Sequence, residues 1–588
     1  MRGFQRHKIR KIKELSGRLW DFTALENEKE GEDSLDPEKG EILEQDPKKN
    51  RTEKIFVPGC VENCPGHENY RGKSSWRTQF EAQGNVRIVC EGVSHFGEIF
   101  VDGKKLAEHY GSYTAFSGCA ADLKPGVHLL EIIADNSFAE EYSLDFPNDY
   151  YSYGGVTRDV MLEEVPPLFL SCIHVTPLTK TKDGWRTRIE AFCRNLSGES
   201  QFTDLRGEIA GTVFSMQHIL IPAAAADLGA DSSDPCADSL IYSEELTIAN
   251  VETWSLENPV LYKVSVELVK NGEVFDDLIE RIGFRTVRVD GNHILLNGKA
   301  LRIKGFCRHE DHPQYGCALP ESAMAADLQL IRDMGGNSVR TVHYPNDEAF
   351  LDMCDEMGIL VWEENHARGM SEEQMRNPLF EAQCEAVIRE MIWAHYNHPS
   401  IYVWGVLNEC SSDTEYGRSC YNAQLSLIRK LDKSRPCTYA SCKFQTDICQ
   451  DLPDICSWNM YPYWYEQDTA AERLNELRTW LNPLQNPLLV SEIGAGAIYG
   501  FRSRGHEIWS EELQADILRK QLRETAEFET CSGSYIWQFA DVKVSREWAL
   551  RRPKSRNNKG IVDEYRRPKM AYEVVKEIYS GLGNYREG

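Results

Sequence analysis

The 588-residue chain has no run of about 18 apolar residues, so no segment reads as a membrane-crossing helix. Its basic first residues, MRGFQRHKIRKIKEL, are followed by no apolar core of the signal-peptide kind. A cytoplasmic protein is the expectation. Positive charge is scarce: 66 Lys+Arg stand against 92 Asp+Glu, a net charge of −26. That argues against nucleic acid or an anionic membrane as partner, and an anionic ligand would need a local cationic pocket. Low-complexity tracts and solenoid-period repeats are also missing. The 18 cysteines are scattered and read as buried thiols rather than bridges. Cys60-x3-Cys64-x2-His67 is half of a metal site, but no second cysteine pair follows at finger-like spacing. The expectation is no metal and no cofactor. The acidic stretch 26–48 reads as a solvated surface loop.

Length suggests roughly three to five domains, and the grammar of the chain changes twice. In 1–165, short alternating runs such as NVRIVCEG, GEIFVDGKK and VHLLEIIADN are broken by turn residues. These predict an antiparallel, jelly-roll-like β-sandwich of the sugar-binding type. Residues 166–284 carry further strands (IHVTPL, RTRIEAFC, YKVSVELV), as in an immunoglobulin-like β-sandwich. In 285–588 eight strand-like runs alternate with amphipathic segments: LRIKGF, NSVRTV, ILVWEE, IYVWGVL, CTYAS, ICSWNM, LLVSE and SYIWQF. Eight βα units predict a C-terminal (β/α)8 TIM barrel. In FEAQCEAVIREMIWAHYN, the residues Val387, Met391 and Ala394 fall on one helical face, and Trp393 reads as core.

In a TIM barrel chemistry gathers where the strands end. The fourth run ends Asn408-Glu409 and the seventh ends Ser491-Glu492, on strands nearly opposite each other in an eight-stranded ring. Two facing carboxylates suit glycosidic hydrolysis; a separation of about 5–5.5 Å means retention and roughly 6.5–9.5 Å inversion. Trp, Tyr and His at the other strand ends suit a sugar, with aromatic faces on its C–H surface and polar tips on its hydroxyls.

These residues resemble glycoside hydrolase family 2 along nearly the whole chain. The entry IGFRTVRVDGNHILLNGKALRIKGFCRHEDHP and the stretch LQLIRDMGGNSVRTVHYPNDEAFLDMCDEMGILVWEE are similar to the family signatures. WGVLNEC resembles its Asn-Glu acid/base motif, and VSEIG its nucleophile motif. SWNMYPYWY, SYIWQFAD, NNKGIVDEYRRPK and NDYYSYGGVTRDV look most like the bacterial β-glucuronidase branch. The resemblance implies a retaining double displacement that releases β-D-glucuronic acid, with Glu492 as nucleophile and Glu409 as acid/base. It places Asn408 on the sugar 2-OH and has Tyr461 orient Glu492. Tyr465, Trp537, His309 and Asp149 would line the site. Asn557 and Lys559 would hold the sugar carboxylate, an assignment that charge-assisted bonding supports. It also implies a small-molecule glucuronide or oligosaccharide substrate and a homo-oligomer.

Some residues depart from that branch. RHEDHPQYG is closer to β-galactosidases, and the short loop after it suggests an open leaving-group side. Glu364-Asn365-His366-Ala367-Arg368 does not match the glucuronidase pattern, and Arg368 could alter recognition at C4. A β-galacturonidase or dual β-hexuronidase is therefore the first alternative, then a β-galactosidase. A non-catalytic carbohydrate-binding protein is the alternative from another class. His309-Glu310-Asp311-His312 could also hold a cation.

Overall fold

The computed structural model describes residues 4–25, 51–223, 238–482 and 484–586; the acidic stretch 26–48 lies outside them. The N-terminal β-sandwich is built on two long antiparallel strands, Lys73–Cys90 and Phe116–Asp135. Alternation along the first turns Trp76, Phe80, Val86 and Ile88 inward. Register shifts on either side of Gly84, whose φ is 75°, bend the pair. One hydrogen-bonded sheet can thereby wrap a core that includes Trp20, Phe22, Ile99 and Ile132.

The second sandwich packs a three-stranded sheet (Leu168–Thr181, Gly184–Asn195, Ser239–Ile248) on a four-stranded one (Thr212–Ile221, Gln201–Ile209, Tyr262–Lys270, Glu273–Ile282). Trp185, Ile189, Leu205 and Val266 fill the space between them.

The third unit is a closed parallel barrel of β1 (Ile303–Arg308), β2 (Ser338–Thr341), β3 (Leu360–Glu364), β4 (Ile401–Gly405), β5 (Cys437–Ser441), β6 (Ile455–Asn459), β7 (Leu488–Ile493) and β8 (Cys531–Ile536). Every residue of these strands is buried, as expected when helices cover the outer face and side chains fill the inner one. The unit between β5 and β6 departs from the eightfold expectation. Among the described residues it holds no helix. The carboxylate of Asp447 organises it instead, accepting from Ser412 Oγ (2.7 Å), Tyr439 OH (2.9 Å) and the Cys449 N–H (2.8 Å).

The helix α1 (Phe380–His395) corrects two further expectations. Its buried face runs Phe380, Cys384, Val387, Met391, His395, and Ala394 is exposed. Trp393 is half-buried, not core; its ring meets Phe192 (4.7 Å) and His174 (5.0 Å) at the seam with the second sandwich.

Inside the barrel, Tyr535 lies against Gly305, where an added Cβ would come within 2.2 Å of the ring. The Tyr535 hydroxyl is tied to Ser338 Oγ (2.6 Å) and Tyr402 OH (2.9 Å), so the ring has no easy retreat. Gly305→Ala is expected to cost about 1–3 kcal/mol by overpacking. In the control Gly505→Ala, the nearest atom stands 3.6 Å away, and the change should stay within about 0.5 kcal/mol. Denaturant unfolding of both variants checks this; equal stability would rule out the tight layer.

No helix among the described residues is long and apolar enough to cross a membrane. The described cysteines are all free thiols, and only Cys442 is exposed; Cys236 lies outside the described residues.

The sandwich reaches the barrel mouth through residues 143–158. Arg158 donates to Glu310 (2.9 Å) and to the Pro345 carbonyl (2.8 Å). Tyr153 donates to Asp311 (2.9 Å), and Ser545 Oγ to the Asn148 carbonyl (2.7 Å). This stapling carries Asp149 into the mouth.

Candidate active site

Glu409 follows β4 on a turn in which Leu407 and Glu409 both adopt left-handed backbone (φ 49° and 54°). That conformation is costly without glycine. Three bonds hold it: the Glu409 N–H to the Ala440 carbonyl (2.9 Å), the Leu407 N–H to Asn365 Oδ1 (3.1 Å), and Tyr421 OH to the Leu407 carbonyl (2.7 Å). Glu492 lies within β7. Its carboxylate accepts from Tyr461 OH (2.6 Å) and Arg340 Nη1 (3.1 Å).

Two side chains tie these groups together. Arg340 also donates to Asn408 Oδ1 (2.8 Å) and grips Glu364 through Nε and Nη2 (3.0 Å each). Asn459 Nδ2 donates to Glu409 Oε1 (2.9 Å) and Asn408 Oδ1 (3.2 Å), while Ser491 Oγ fixes Asn459 Oδ1 (2.7 Å). The Asn408 Nδ2 is buried with no partner in the protein.

The carboxyls differ in surroundings. The Glu409 side chain keeps 21% exposure and that of Glu492 only 5%. Burial first, then the neighbouring Glu409, push Glu492 up to about 8, against Arg340, Tyr461 and Arg368. In the free pocket the carboxyl that holds its proton more tightly than usual is thus Glu492. Burial works against the charge on the residue that the resemblance reads as the nucleophile.

A second cluster is cationic. Lys559, buried, donates to Tyr465 OH (2.8 Å), and its ammonium lies over the rings of Tyr465 (4.9 Å) and Tyr461 (5.4 Å). Arg552 reaches the same hydroxyl (3.4 Å) and Asp149 Oδ2 (3.3 Å). Asn557 Nδ2 donates to Asp149 Oδ2 (3.3 Å), and its Oδ1 is buried without a partner. Arg368 Nη2 lies 3.0 Å from Asp149 Oδ1 and 3.8 Å from Glu409 Oε2, and its Nη1 donates to Asn148 (3.1 Å).

Burial alone would raise the Asp149 carboxyl; Arg368, Arg552 and Lys559 hold it below its ordinary value. Burial, helped by Arg552, lowers the Lys559 ammonium. For Tyr465, the upward push of burial is overcome by Lys559 and Arg552, which bring the phenol down to about 8.

Aromatic groups close the wall. Trp537 is buried between His343 (centroids 5.2 Å, stacked) and His309 (5.6 Å, edge-on). His309 Nδ1 pairs with Tyr344 OH (3.2 Å), and its ring stacks on Tyr150 (4.7 Å).

The residues of the second sandwich and the barrel each match a family description. "Glycosyl hydrolases family 2, TIM barrel domain" covers 287–584, more than half of the chain, and "Glycosyl hydrolases family 2" covers 169–285. The chain belongs to glycoside hydrolase family 2. It is a glycosidase by that membership. This family 2 chain is similar to the crystal structure of a GH2 beta-galacturonidase from Eisenbergiella tayi bound to galacturonate. The two are 51% identical over 100% of each chain, with a TM-score of 0.91. It is 27% identical to a beta-glucuronidase of Streptococcus agalactiae, over 84% of this chain and 85% of that one. A Formosa agariphila relative is 26% identical over 87% of this chain, which spans 64% of that relative's length.

Two residues of this family 2 pocket escape the sequence reading. Arg340 is the hub of the carboxylate network. Its signal is a lone cation inside the strand-like run NSVRTV, where a buried charge must be paired. Arg552 belongs to the basic run RRPKSRNNK, from which the motif singles out Asn557 and Lys559 alone.

The cation readings find little geometric support. His309, Glu310 and Asp311 each engage a different partner: Tyr344, Arg158 and Tyr153. Cys60 lies against Cys317 (Sγ–Sγ 3.7 Å), while the Cys64 thiol turns to the Cys60 carbonyl. Among the described residues, Asp352, Asp355 and His398 have ligand-like spacing. They lie at the other end of the barrel. There Arg281 neutralises Asp352 (2.8 Å) and His398 pairs with Asp355 (2.6 Å).

Proposed function

We propose that the protein is a retaining β-D-galacturonidase that acts by double displacement. The observation that carries the uronide class is the cluster of Lys559, Arg552 and Asn557 at one end of the pocket that holds the Glu409/Glu492 pair. Around that pocket Arg340, Arg368, Arg552 and Lys559 face Asp149, Glu364, Glu409 and Glu492. With one proton on the glutamate pair, the set has an excess of one positive charge. A C6 carboxylate matches that excess; a neutral hexoside leaves a buried cation underpaired.

Galacto over gluco configuration rests on Arg368, at a strand end that departs from the glucuronidase pattern. Likeness to the Eisenbergiella tayi galacturonidase along the whole chain supports it. The glucuronide is the second reading, favoured by the Asn557-x-Lys559 motif and by relatives at about half that identity.

In this reading Glu492 attacks the anomeric carbon while Glu409 protonates the leaving oxygen and later activates water. The pair carries one proton, and the competent arrangement has it on Glu409. Tyr461 and Arg340 pull toward that arrangement by donating to Glu492, against the burial that raises it, whereas among the described residues Glu409 accepts only from Asn459 at hydrogen-bond distance. The free Asn408 Nδ2 is available to the sugar 2-OH, a bond that strengthens as positive charge develops on the ring.

Initial rates on matched aryl β-galacturonide, β-glucuronide and β-galactoside test the proposal. The galacturonide should be fastest. A faster glucuronide would reverse the epimer, and a faster galactoside would remove the uronide reading. The first-formed product should be the β-anomer by NMR; an α-anomer would exclude double displacement.

A further inference from the structure

The segments SYIWQFAD and NNKGIVDEYRRPK end on Asp541 and Lys569, a charged pair that the proposed chemistry does not use. Asp541 is 1% exposed and Lys569 2%. Lys569 Nζ donates to Asp541 Oδ1 (2.7 Å), to the Ala497 carbonyl (2.7 Å) and to the Asn558 carbonyl (3.2 Å). An ammonium has three hydrogens, so its whole capacity is taken up within the protein. Asp541 Oδ1 in turn accepts from the Gly560 N–H (2.9 Å).

These bonds bracket Lys559. The residue before it and the residue after it are both held, and the Lys559 carbonyl accepts from the Gln538 N–H (3.0 Å). The Ala497 N–H also donates to the Asn558 carbonyl (2.9 Å), which ties the segment to the chain leaving β7, the strand that carries Glu492. Gly560 sits so close that an added Cβ would lie 2.3 Å from the Asp541 nitrogen and 2.3 Å from the Val562 carbonyl oxygen. The Lys559 side chain, by contrast, has one hydrogen-bond partner among the described residues, the Tyr465 hydroxyl (2.8 Å). Its place in the pocket is therefore set by its backbone.

Folding alone does not account for Lys569. It stands at the N-cap of the helix Met570–Ser580 and makes no side-chain capping bond, at a position where Ser, Thr, Asp or Asn serves best. A cation there also faces the positive end of the helix dipole. Nor does a buried ion pair often outdo a neutral pair of similar shape in stability. What the side chain does fix is the segment 558–560.

We infer that Asp541 and Lys569 are positioning residues for Lys559: their buried pair ties segment 558–560 to the chain leaving β7 and β8, and so sets the distance between the cation that reads the sugar acid and Glu492. The reading of a sugar acid by Lys559 rests on the uronide function proposed above; the tie itself does not.

Removing one partner would strand a buried charge, so the test on the full chain is the double variant Asp541→Asn/Lys569→Met. Asparagine can still accept from the Gly560 N–H, and the variant should unfold in denaturant near the wild type. Its kcat/KM on an aryl β-galacturonide should fall by about tenfold to a hundredfold, the effect of a slight misplacement, while an aryl β-galactoside stays within about threefold. Gly560→Ala, which leaves both charges in place but displaces the same segment, is the second variant and should show the same split.

A spectroscopic signature separates positioning from mere support. Burial pushes the Tyr465 phenol up, and Lys559 and Arg552 bring it down to about 8. If Lys559 shifts in the double variant, the phenol should titrate at higher pH, read as the ultraviolet difference against the same protein carrying Tyr465→Phe. A phenol that stays at about 8, or equal falls on the charged and neutral substrates in a folded variant, overturns the positioning role. Should no uronide be turned over, the function reading fails, and the phenol titration still decides whether the pair places Lys559.

Discussion

Glu492→Ala is expected to abolish turnover of an aryl galacturonide, by on the order of 10⁵-fold or more, because the covalent step has no substitute nucleophile. Glu409→Ala should lose about 10²–10⁴-fold, the range for a general acid/base. The two variants should differ in kind as well as size. A leaving group that departs without protonation should recover the glycosylation step in Glu409→Ala but not in Glu492→Ala. Azide should restore both variants with opposite stereochemistry. Attack in place of Glu492 gives the α-glycosyl azide; attack on the glycosyl-enzyme of Glu409→Ala gives the β-azide. Near-normal rates in either variant, or the reverse azide anomers, would withdraw the roles assigned here. Neither change should unfold the barrel, since Arg340 keeps its grip on Glu364 when Glu492 is removed.

The same pair sets the pH dependence. With Glu492 pushed up to about 8 by burial and by Glu409, the pair keeps one proton through neutrality. Above about pH 8 that last proton leaves, both carboxyls are ionised, and the acid is gone. The rate should therefore fall on the alkaline side. In Glu409→Gln the neighbouring negative charge is removed, which lowers the Glu492 pKa. With a leaving group that needs no proton, this variant should stay active to higher pH and keep its nucleophile ionised to lower pH than the wild type. An unchanged profile would mean that the two carboxyls do not share an environment.

Much of this arrangement is legible in the sequence because it depends on local pattern. Period-two alternation gives the sandwiches, and apolar runs that end in polar residues give the barrel and the places of Glu409 and Glu492. The helix expected between β5 and β6 fails for a physical reason. Asp447 takes up the Cys449 N–H within that segment and so competes with helical bonding. The hub Arg340 is hidden for a different reason. Its importance comes from binding Glu364, Asn408 and Glu492 at once, residues brought together only when the barrel closes. The raised Glu492 is hidden likewise, because burial is a property of the closed mouth and not of VSEIG.

Lys559→Ala should cost about 2–5 kcal/mol in kcat/KM on a uronide, as when one partner of a buried charged pair is lost. That is roughly 30-fold to several-thousand-fold. An aryl galactoside should be unaffected or improved, since it gives the ammonium nothing to pair with. Arg552→Ala alone should do less, because Lys559 remains buried beside the site, and the double variant should lose most uronide selectivity. Equal losses on charged and neutral substrates would mean that Lys559 supports the pocket without reading a carboxylate.

Tyr465 supplies an independent check. Its phenol is brought down to about 8 by Lys559 and Arg552, against burial. Above that pH the phenolate competes with the substrate for the same cations, so kcat/KM on the uronide should fall by more than the glutamate pair alone dictates. The neutral galactoside should show only the limb of the pair. Tyr465→Phe removes the phenolate but also the partner that, against burial, raises the Lys559 ammonium, so the extra fall should move rather than vanish, and Lys559→Ala should return the phenol toward its ordinary range, a change that the ultraviolet absorbance of the phenolate follows directly. If the uronide and the galactoside share one alkaline limb in the wild type, the cations around Tyr465 are not those that bind the sugar acid.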